Sequence, residues 1–556
     1  MPHALPPPDP LPGPSEDPAR AAPPPARAAR RVPGLLLGLA LLGAALAGPA
    51  RADCGGLAGA AIGRAQIGLP TQGASVTRAV LVPAAGQTPA HCELQGRIYP
   101  VDPAAPPIRF QLNLPSPWNE KALHFGGGGF DGSVVSGKGN VPHAWPGSPT
   151  PLQRGYATFG SDGGHEGQDP DASFALNDEA LRNFTGEALK KVRDVAQQLM
   201  LRHYGRGPRL TYFAGGSSGG REAMAVAQRW PDDYEGIIAN YPALEFMGLI
   251  LRANAMAQAL YAPGGFPSWG KLDHLNRRVL AACDRQDGLE DGLINAVEAC
   301  RFDPAVLRCR YNLDLGDSCL TDAQLRVVRA LADEMPLAYP LAQGLRSAPP
   351  FGILAGANFA GPVDLGVLPV LLDPPVLGLN GYIVSMQSEY LKHFIARDPT
   401  YKPLGFDPVG GAPFQARVQQ VSALHDATSI DLARFVRRGG KILMMHGTSD
   451  TIVPYSVSVR YVTRLRQAWG EAAVQGFLRF YGVAGMGHGE GRYTMAWKSL
   501  DLLEDWVERG QPPQAPESRN VLDPFGQSRP LCEHPTWPRY VGGNVRAASS
   551  FRCVAP

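Results

Sequence analysis

Six short apolar runs mark the chain, at residues 122–125, 156–160, 210–214, 237–239, 442–445 and 477–481. Each is a few residues long without a polar alternation, the pattern of strands buried on both faces in a parallel sheet. Between them lie stretches with apolar residues at helical spacing, notably 179–204, 222–230 and 456–469. Strands alternating with helices predict an α/β fold, a mainly parallel sheet covered by helices on both faces. The alternation fails over residues 245–424, which hold four of the eight cysteines and turn signals such as Pro349-Pro350 and Pro374-Pro375. That stretch is too long for a loop of a compact domain. It predicts an inserted lid domain that divides the core into residues 53–244 and 425–556.

The first 52 residues read differently. A Pro- and Ala-rich start with Arg27, Arg30 and Arg31 leads into an apolar run at 34–46 and then Ala50-Arg51-Ala52. Basic, apolar, then small-x-small is the order of a secretory signal peptide, removed after residue 52. An uncleaved anchor is the alternative, but about 13 apolar residues are short for a bilayer, which needs about 20. Asp53-Cys54 is a poor lipoprotein site because an acid precedes the cysteine. Five of the 52 Lys and Arg and three of the 50 Asp and Glu precede residue 53, leaving 47 of each. A balanced chain has no electrostatic hold on nucleic acid. No later run of 18 apolar residues calls for membrane insertion. The expected location is secreted or periplasmic.

An even number of cysteines in an exported chain reads as disulfides. Eight cysteines allow 105 pairings. The economical set is local: Cys54–Cys92, Cys283–Cys300, Cys309–Cys319 and Cys532–Cys553. Zinc is the rival use, but no C-x-x-C pair or histidine cluster supports it.

Candidate chemistry lies at the ends of the apolar runs. Gly215-Gly216-Ser217-Ser218-Gly219-Gly220 follows the run at 210–214 and precedes a helical stretch. Strand, tight turn and helix form the context of a nucleophile elbow, where flanking glycines let strand and helix approach closely and expose a serine hydroxyl. Both Ser217 and Ser218 fit G-x-S-x-G. The acid and base of such a site follow in order on later strand ends. Asp450, in His446-Gly447-Thr448-Ser449-Asp450, follows the run at 442–445, and His488, in Gly485-Met486-Gly487-His488-Gly489, follows that at 477–481. His488 would take the serine proton and return it to the leaving alcohol, with Asp450 fixing its tautomer. Asp426 is a rival acid but lies before its strand. His165 and His446 read as surface or capping residues. The glycines 126–129 after the first run resemble a segment that offers backbone N–H groups to an oxyanion, with Gly128, Gly129 and Ser218 as donors. The alternative, a phosphate loop, lacks the lysine of Walker-A spacing.

Taken together, YFAGGSSGGREAMAVAQRWPDDYEGIIANYPA at 212–243, GSDGGHEG at 160–167, HGTSDTIVP at 446–454 and GMGHG at 485–489 resemble the tannase and feruloyl esterase family. The resemblance runs over nearly all of the chain after residue 52. It implies an α/β-hydrolase core, a lid completing the pocket, cleavage of small or polysaccharide-linked aromatic-acid esters, and Ser217 rather than Ser218 as nucleophile. It also implies a cysteine beside the serine and another beside the histidine, joined to each other. Here those positions are Gly216 and Gly489, so the tether is absent. As neighbours of groups in hydrogen-bond reach, the two should lie close enough for paired cysteines to bridge them.

The segment Cys283-Asp284-Arg285-Gln286-Asp287-Gly288-Leu289-Glu290-Asp291-Gly292-Leu293 groups carboxylates suited to a hard cation, or simply a solvated acidic loop. It is not an EF-hand. The resemblance implies a structural calcium held by Asp284, Asp287 and Asp291 and by the carbonyls of Leu289 and Leu293. No organic cofactor is expected. Two other classes carry the same motifs: a non-catalytic binding protein on a hydrolase scaffold, and a serine peptidase.

Overall fold

The computed structural model describes residues 53–556; the expected signal peptide lies outside the described residues. A ten-stranded sheet organises the chain, in the order β1-β2-β3-β4-β6-β5-β7-β8-β9-β10. The strands are β1 (Ala61–Ile62), β2 (Gly73–Val82), β3 (Ala90–Tyr99), β4 (Ile108–Ser116), β5 (Lys121–Phe125), β6 (Ala157–Ser161), β7 (Leu210–Gly216), β8 (Gly236–Asn240), β9 (Lys441–Gly447) and β10 (Leu478–Val483). All six apolar runs are strands of this sheet, and the pairs β5–β6, β5–β7, β7–β8, β8–β9 and β9–β10 are parallel. Burial on both faces explains their unbroken apolar character: every residue of β6 and β8 is buried. The antiparallel meander β1–β4 joins through β4 and β6. It escapes a search for apolar runs because buried Glu93, Gln111 and Asn113 interrupt its strands.

Helices cover both faces. Residues 179–204 are not one helix. A turn of π-helix at Asn183–Glu187 breaks the stretch, with the buried Arg221 guanidinium donating to the carbonyls of Phe184 and Thr185 there, and helix α1 then runs from Ala188 to Tyr204. Helix α2 (Ser218–Arg229) follows β7 directly and packs with Val457, Tyr461 and Leu465 of a later helix. The opposite face buries Tyr212, Ile238 and Leu443 under Trp497, Leu503 and Trp506.

Between β8 and β9 the chain builds helices α3 (Phe246–Leu260), α4 (Trp269–Cys283), α5 (Asp322–Ala332), α6 (Tyr382–Tyr390) and α7 (Gln415–His425). They share an apolar core of their own, whose members Phe130, Leu181 and Phe184 come from the other side of the boundary. This segment is therefore packed onto the sheet domain. Helix α8 (Tyr455–Trp469) and helix α9 (Ser499–Arg509) complete the sheet domain. The four disulfides are the four local pairs, Cys54–Cys92, Cys283–Cys300, Cys309–Cys319 and Cys532–Cys553, and no described cysteine is free.

Candidate active site

The candidate residues lie in loops leaving the carboxyl ends of parallel strands, the edge where open α/β sheets bind ligands. The glycine segment follows β5, Ser217 follows β7, Asp450 follows β9 and His488 follows β10. Ser217 holds φ 60°, ψ −124° between β7 and α2, a sparsely populated conformation for a residue with a side chain. The surroundings fix it. Its N–H donates to Asn240 O at 3.0 Å, and its carbonyl accepts from Arg221 N at 3.0 Å and Ala243 N at 3.2 Å. A Cβ on Gly215 would stand 2.3 Å from Gly219 O, and one on Gly219 would stand 2.5 Å from Gly127 O. Strand, elbow and glycine segment thus approach more closely than any side chain allows.

Three side chains form a continuous relay. Ser217 Oγ lies 2.9 Å from His488 Nε2, and His488 Nδ1 lies 2.8 Å from Asp450 Oδ2. The other oxygen of Asp450 accepts the backbone N–H groups of Ile452 and Val453, each at 2.8 Å. Burial opposes the charge on Asp450, but His488, His446 and their hydrogen bonds outweigh it and hold the carboxyl well below the usual carboxylate range. An ionised acid accepts only. The Nδ1 of His488 must therefore carry the proton, leaving Nε2 free to accept the serine hydroxyl.

Ser218 occupies the first turn of α2, where backbone N–H groups lack intrahelical acceptors. Its hydroxyl is turned away from the relay and donates to Gly129 O at 2.7 Å. In the glycine segment, Gly126 N donates to Ala214 O at 3.0 Å and Gly127 N to Glu222 Oε2 at 3.0 Å. Gly128 and Gly129 line the open space next to Ser217. Glu222 is fully buried and hydrogen-bonded to Asp131, whose carboxyl is pushed up first by burial and then by the Glu222 charge. Through its bond to Gly127 N, Glu222 buttresses the glycine segment from behind.

The space in front of Ser217 is a cavity of about 900 Å³. The sheet domain supplies the glycines, Ser217, Tyr241 and His488. The segment between β8 and β9 supplies Asn276, Leu280, Asn358, Val363, Asp364 and Tyr382. Asp364 accepts from Thr451 Oγ1 at 2.6 Å, and burial pushes its carboxyl up. Tyr382 donates to Asp169 Oδ2 at 2.7 Å. Residue pattern alone points to none of these wall residues, because nothing local to them differs from an ordinary loop or helix.

Several expectations are corrected. His446 is not a surface residue: it is fully buried, with Nδ1 2.8 Å from Ser458 Oγ and Nε2 3.0 Å from Val453 O and 3.5 Å from Asp450 Oδ2. His165 is buried as well, stacked on Phe174 at 3.5 Å and bonded through Nε2 to Phe130 O at 2.6 Å. Asp426, in contrast, stays outside the relay as its place before the strand suggested: it stands at the end of α7, where it accepts Met247 N and the Ser422 hydroxyl. Gly216 and Gly489 do lie close together, but Tyr241 stands between them. A Cβ on Gly216 would meet its hydroxyl at 2.8 Å and one on Gly489 would meet it at 3.7 Å, while Gly489 itself has φ +90°. Paired cysteines there would have to expel the tyrosine.

In the acidic loop, Asp284 Oδ2 accepts Gly292 N at 2.8 Å, Asp287 accepts the N–H groups of Leu289 and Asn295, and Asp291 accepts Leu293 N and pairs with Arg529 at 2.6 Å. Among the described residues no three His, Cys, Asp or Glu side chains converge as a metal-binding group. One oxygen, Asp284 Oδ1, is buried with no partner. Burial pushes the Asp284 carboxyl up, and that of Asp287 to about 6. These are acceptors short of positive charge, and in donor chemistry they fit a hard cation.

A mainly parallel sheet with an elbow serine and loops converging over it is a hydrolase of α/β-hydrolase build. The Tannase and feruloyl esterase family model matches residues 92–554. The chain is 38% identical to an uncharacterized esterase of Agrobacterium fabrum over 90% of its length and 93% of that protein's. It is 30% identical to mono(2-hydroxyethyl) terephthalate hydrolase of Piscinibacter sakaiensis over 85% and 86%. Among solved structures, feruloyl esterase B from Aspergillus oryzae superposes with a TM-score of 0.72 over 88% of this chain and 98% of that one, at 22% identity, a likeness of fold. The chain belongs to the tannase and feruloyl esterase family and is a carboxylic ester hydrolase.

Proposed function

We propose that this esterase is exported and cleaves aromatic-acid esters through an acyl-enzyme on Ser217. The relay Asp450–His488–Ser217, opening into the cavity, is the observation that carries the reading. Ser217 Oγ attacks the ester carbonyl carbon as its proton passes to His488 Nε2. The negative charge that develops on the carbonyl oxygen meets the N–H groups of Ser218, Gly128 and Gly129. Collapse breaks the ester C–O bond, and His488 gives its proton to the departing alcohol. Water then attacks the acyl-enzyme with His488 again as base, releasing the acid and restoring the serine.

Feruloyl, galloyl and terephthaloyl esters are the proposed substrate class. The names of the relatives support it, and so does a cavity walled partly by Leu280, Val363, Tyr241 and Tyr382, with Asn358 and Asp364 as polar partners. The segment 245–424 acts as the lid that gives the pocket this outer wall. Four disulfides support export, because such bonds persist in oxidising compartments. Among the described residues no helix is long and apolar enough to cross a membrane. A calcium ion in the loop of Asp284, Asp287 and Asp291, with the carbonyls of Leu289 and Leu293, would supply positive charge to the unpartnered Asp284 Oδ1 and stabilise the loop.

The test is a panel of feruloyl, galloyl and terephthaloyl esters, with peptide anilides alongside, assayed on the parent and on Ser217→Ala. Aryl esters should be cleaved and anilides spared, and the alanine variant should fold and lose about 10⁴ or more in rate. Cleavage of anilides in preference to esters, or a fully active Ser217→Ala, would overturn the reading.

A further inference from the structure

Tyr241 follows β8 and packs against His488 and beside Gly216, the neighbour of Ser217. It is nine-tenths buried, and its backbone has φ +32°, an angle rarely held by a side chain of this size. Its N–H donates to Met445 O at 2.6 Å on β9, which ties the loop after β8 to the strand that carries Asp450. The ring lies 4.8 Å from the His488 imidazole at an interplanar angle of 58°. The phenol oxygen is turned toward the space beside Gly216 and Gly489, the immediate chain neighbours of Ser217 and His488.

A second residue holds that ring in place. His143 Nε2 lies 3.0 Å from the Tyr241 hydroxyl, and His143 Nδ1 lies 3.2 Å from Met495 O. A carbonyl accepts only, so Nδ1 carries the proton and Nε2 accepts from the phenol. Burial keeps His143 neutral, pushing it down to about 4, so it remains an acceptor across the working range. His143 is fixed in turn by its carbonyl, which accepts Trp497 N at 2.9 Å. Burial, and after it the Asp450 charge, also push the Tyr241 phenol up, so it stays a donor. The arrangement is a chain of single-role donors and acceptors ending in an aromatic ring against the imidazole. That ring restrains an imidazole whose own loop is rich in glycine.

We propose that Tyr241, locked by His143, is a positioning residue that keeps the His488 imidazole aligned between Asp450 and Ser217. The proposal rests on the reading of Ser217 and His488 as nucleophile and base. A ring at this distance blocks rotation of the imidazole away from the serine, and its π-face favours the imidazolium that forms as the serine attacks. Both effects act on the chemical step, so they belong in kcat rather than in KM. The two glycines are part of the same device: the phenol occupies the volume into which a side chain at 216 would grow.

The test compares Tyr241→Phe, Tyr241→Leu, Gly216→Ala and the double variant Gly216→Ala/Tyr241→Leu on one aryl ester, with rates expressed per site titratable by a fluorophosphonate. Tyr241→Leu should lower kcat ten- to hundredfold with KM within threefold. Tyr241→Phe, which keeps the ring, should stay within about fivefold of the parent. Gly216→Ala should lower kcat about tenfold by displacing the ring, and should cost nothing further once residue 241 is leucine. Equal costs of Gly216→Ala in both backgrounds, a Tyr241→Leu kcat within twofold of the parent, or a loss confined to KM would overturn the proposal. If Tyr241→Leu does not fold, Gly216→Ala decides alone, and a kcat within twofold of the parent counts against the ring. A dead Ser217→Ala beside an unaffected Tyr241→Leu removes this proposal only; an active Ser217→Ala removes the reading beneath it.

Discussion

At the scale of single residues, the site assigns each atom one role. Asp450 is ionised and saturated by two backbone N–H groups and by imidazole, so it can only accept. That property sets the tautomer of His488 and leaves its Nε2 free to accept, the state the proposed base requires. An asparagine at 450 could turn its amide toward His488 Nδ1 and hold the opposite tautomer. Asp450→Asn should therefore keep the fold and substrate affinity while kcat falls by about 10⁴. Steady-state kinetics on an aryl ester, with KM reported separately, checks this. His446 adds a further contact to the same carboxylate, and its position four residues before Asp450 in the sequence was the only hint of that.

At the scale of elements, Asp426 joins two helices. It ends α7 and accepts the N–H of Met247 in the first turn of α3 at 2.9 Å, an arrangement that favours an anion. Burial is the larger influence, and with Glu245 nearby it pushes the carboxyl up to about 7. The sign follows. The folded chain keeps this proton up to about pH 7, while the unfolded chain releases it near 4, so stability falls as pH rises across that window. The loss is a few kcal/mol at most, at about 1.4 kcal/mol per unit. Asp426→Asn should flatten the decline of melting temperature between pH 4.5 and 8 and leave ester hydrolysis within twofold. An unchanged decline would place the pH dependence elsewhere.

The elements differ in how far the sequence discloses them. The parallel strands were legible because burial on both faces removes polar residues from them, and the relay because its three loops follow such strands in order. The meander β2–β4 was not, since its strands carry buried polar groups that bond across the sheet, such as Asn113 to Thr158 on β6. The break at Asn183–Glu187 was hidden because apolar spacing continues through it; the tertiary contacts of Arg221 and Arg229 with its carbonyls hold it. The roles of Tyr241 and His143 were invisible for a stronger reason: their partners are distant in the chain, and although Tyr241 lies in the 212–243 stretch, nothing local ties it to His143 or His488.

At the scale of the whole molecule, one compact unit holds the sheet domain and the segment over it, with the cavity walled by both. The acidic loop lies at the end of α4, bound by Cys283–Cys300 and tied by Asp291 to Arg529 near the carboxyl end of the chain. The cation proposed there would brace this joint without contacting the relay itself, although Gly292 of the loop lines the cavity. Chelation should lower the melting temperature by several degrees while the room-temperature rate changes less than twofold, because a ligand bound only to the native state stabilises by mass action. Thermal melts with and without chelator, beside metal analysis of the purified protein, check this; an unmoved melt and no bound calcium would refute the site.

The central claim is that Ser217 is the nucleophile, and adduct mapping tests it most directly. The protein is treated with a fluorophosphonate, digested, and the modified residue located by mass spectrometry. A single adduct on Ser217, absent from Ser217→Ala and lost together with esterase activity, is the expected result. An adduct on Ser218, or undiminished hydrolysis by a protein that takes no label, would contradict it.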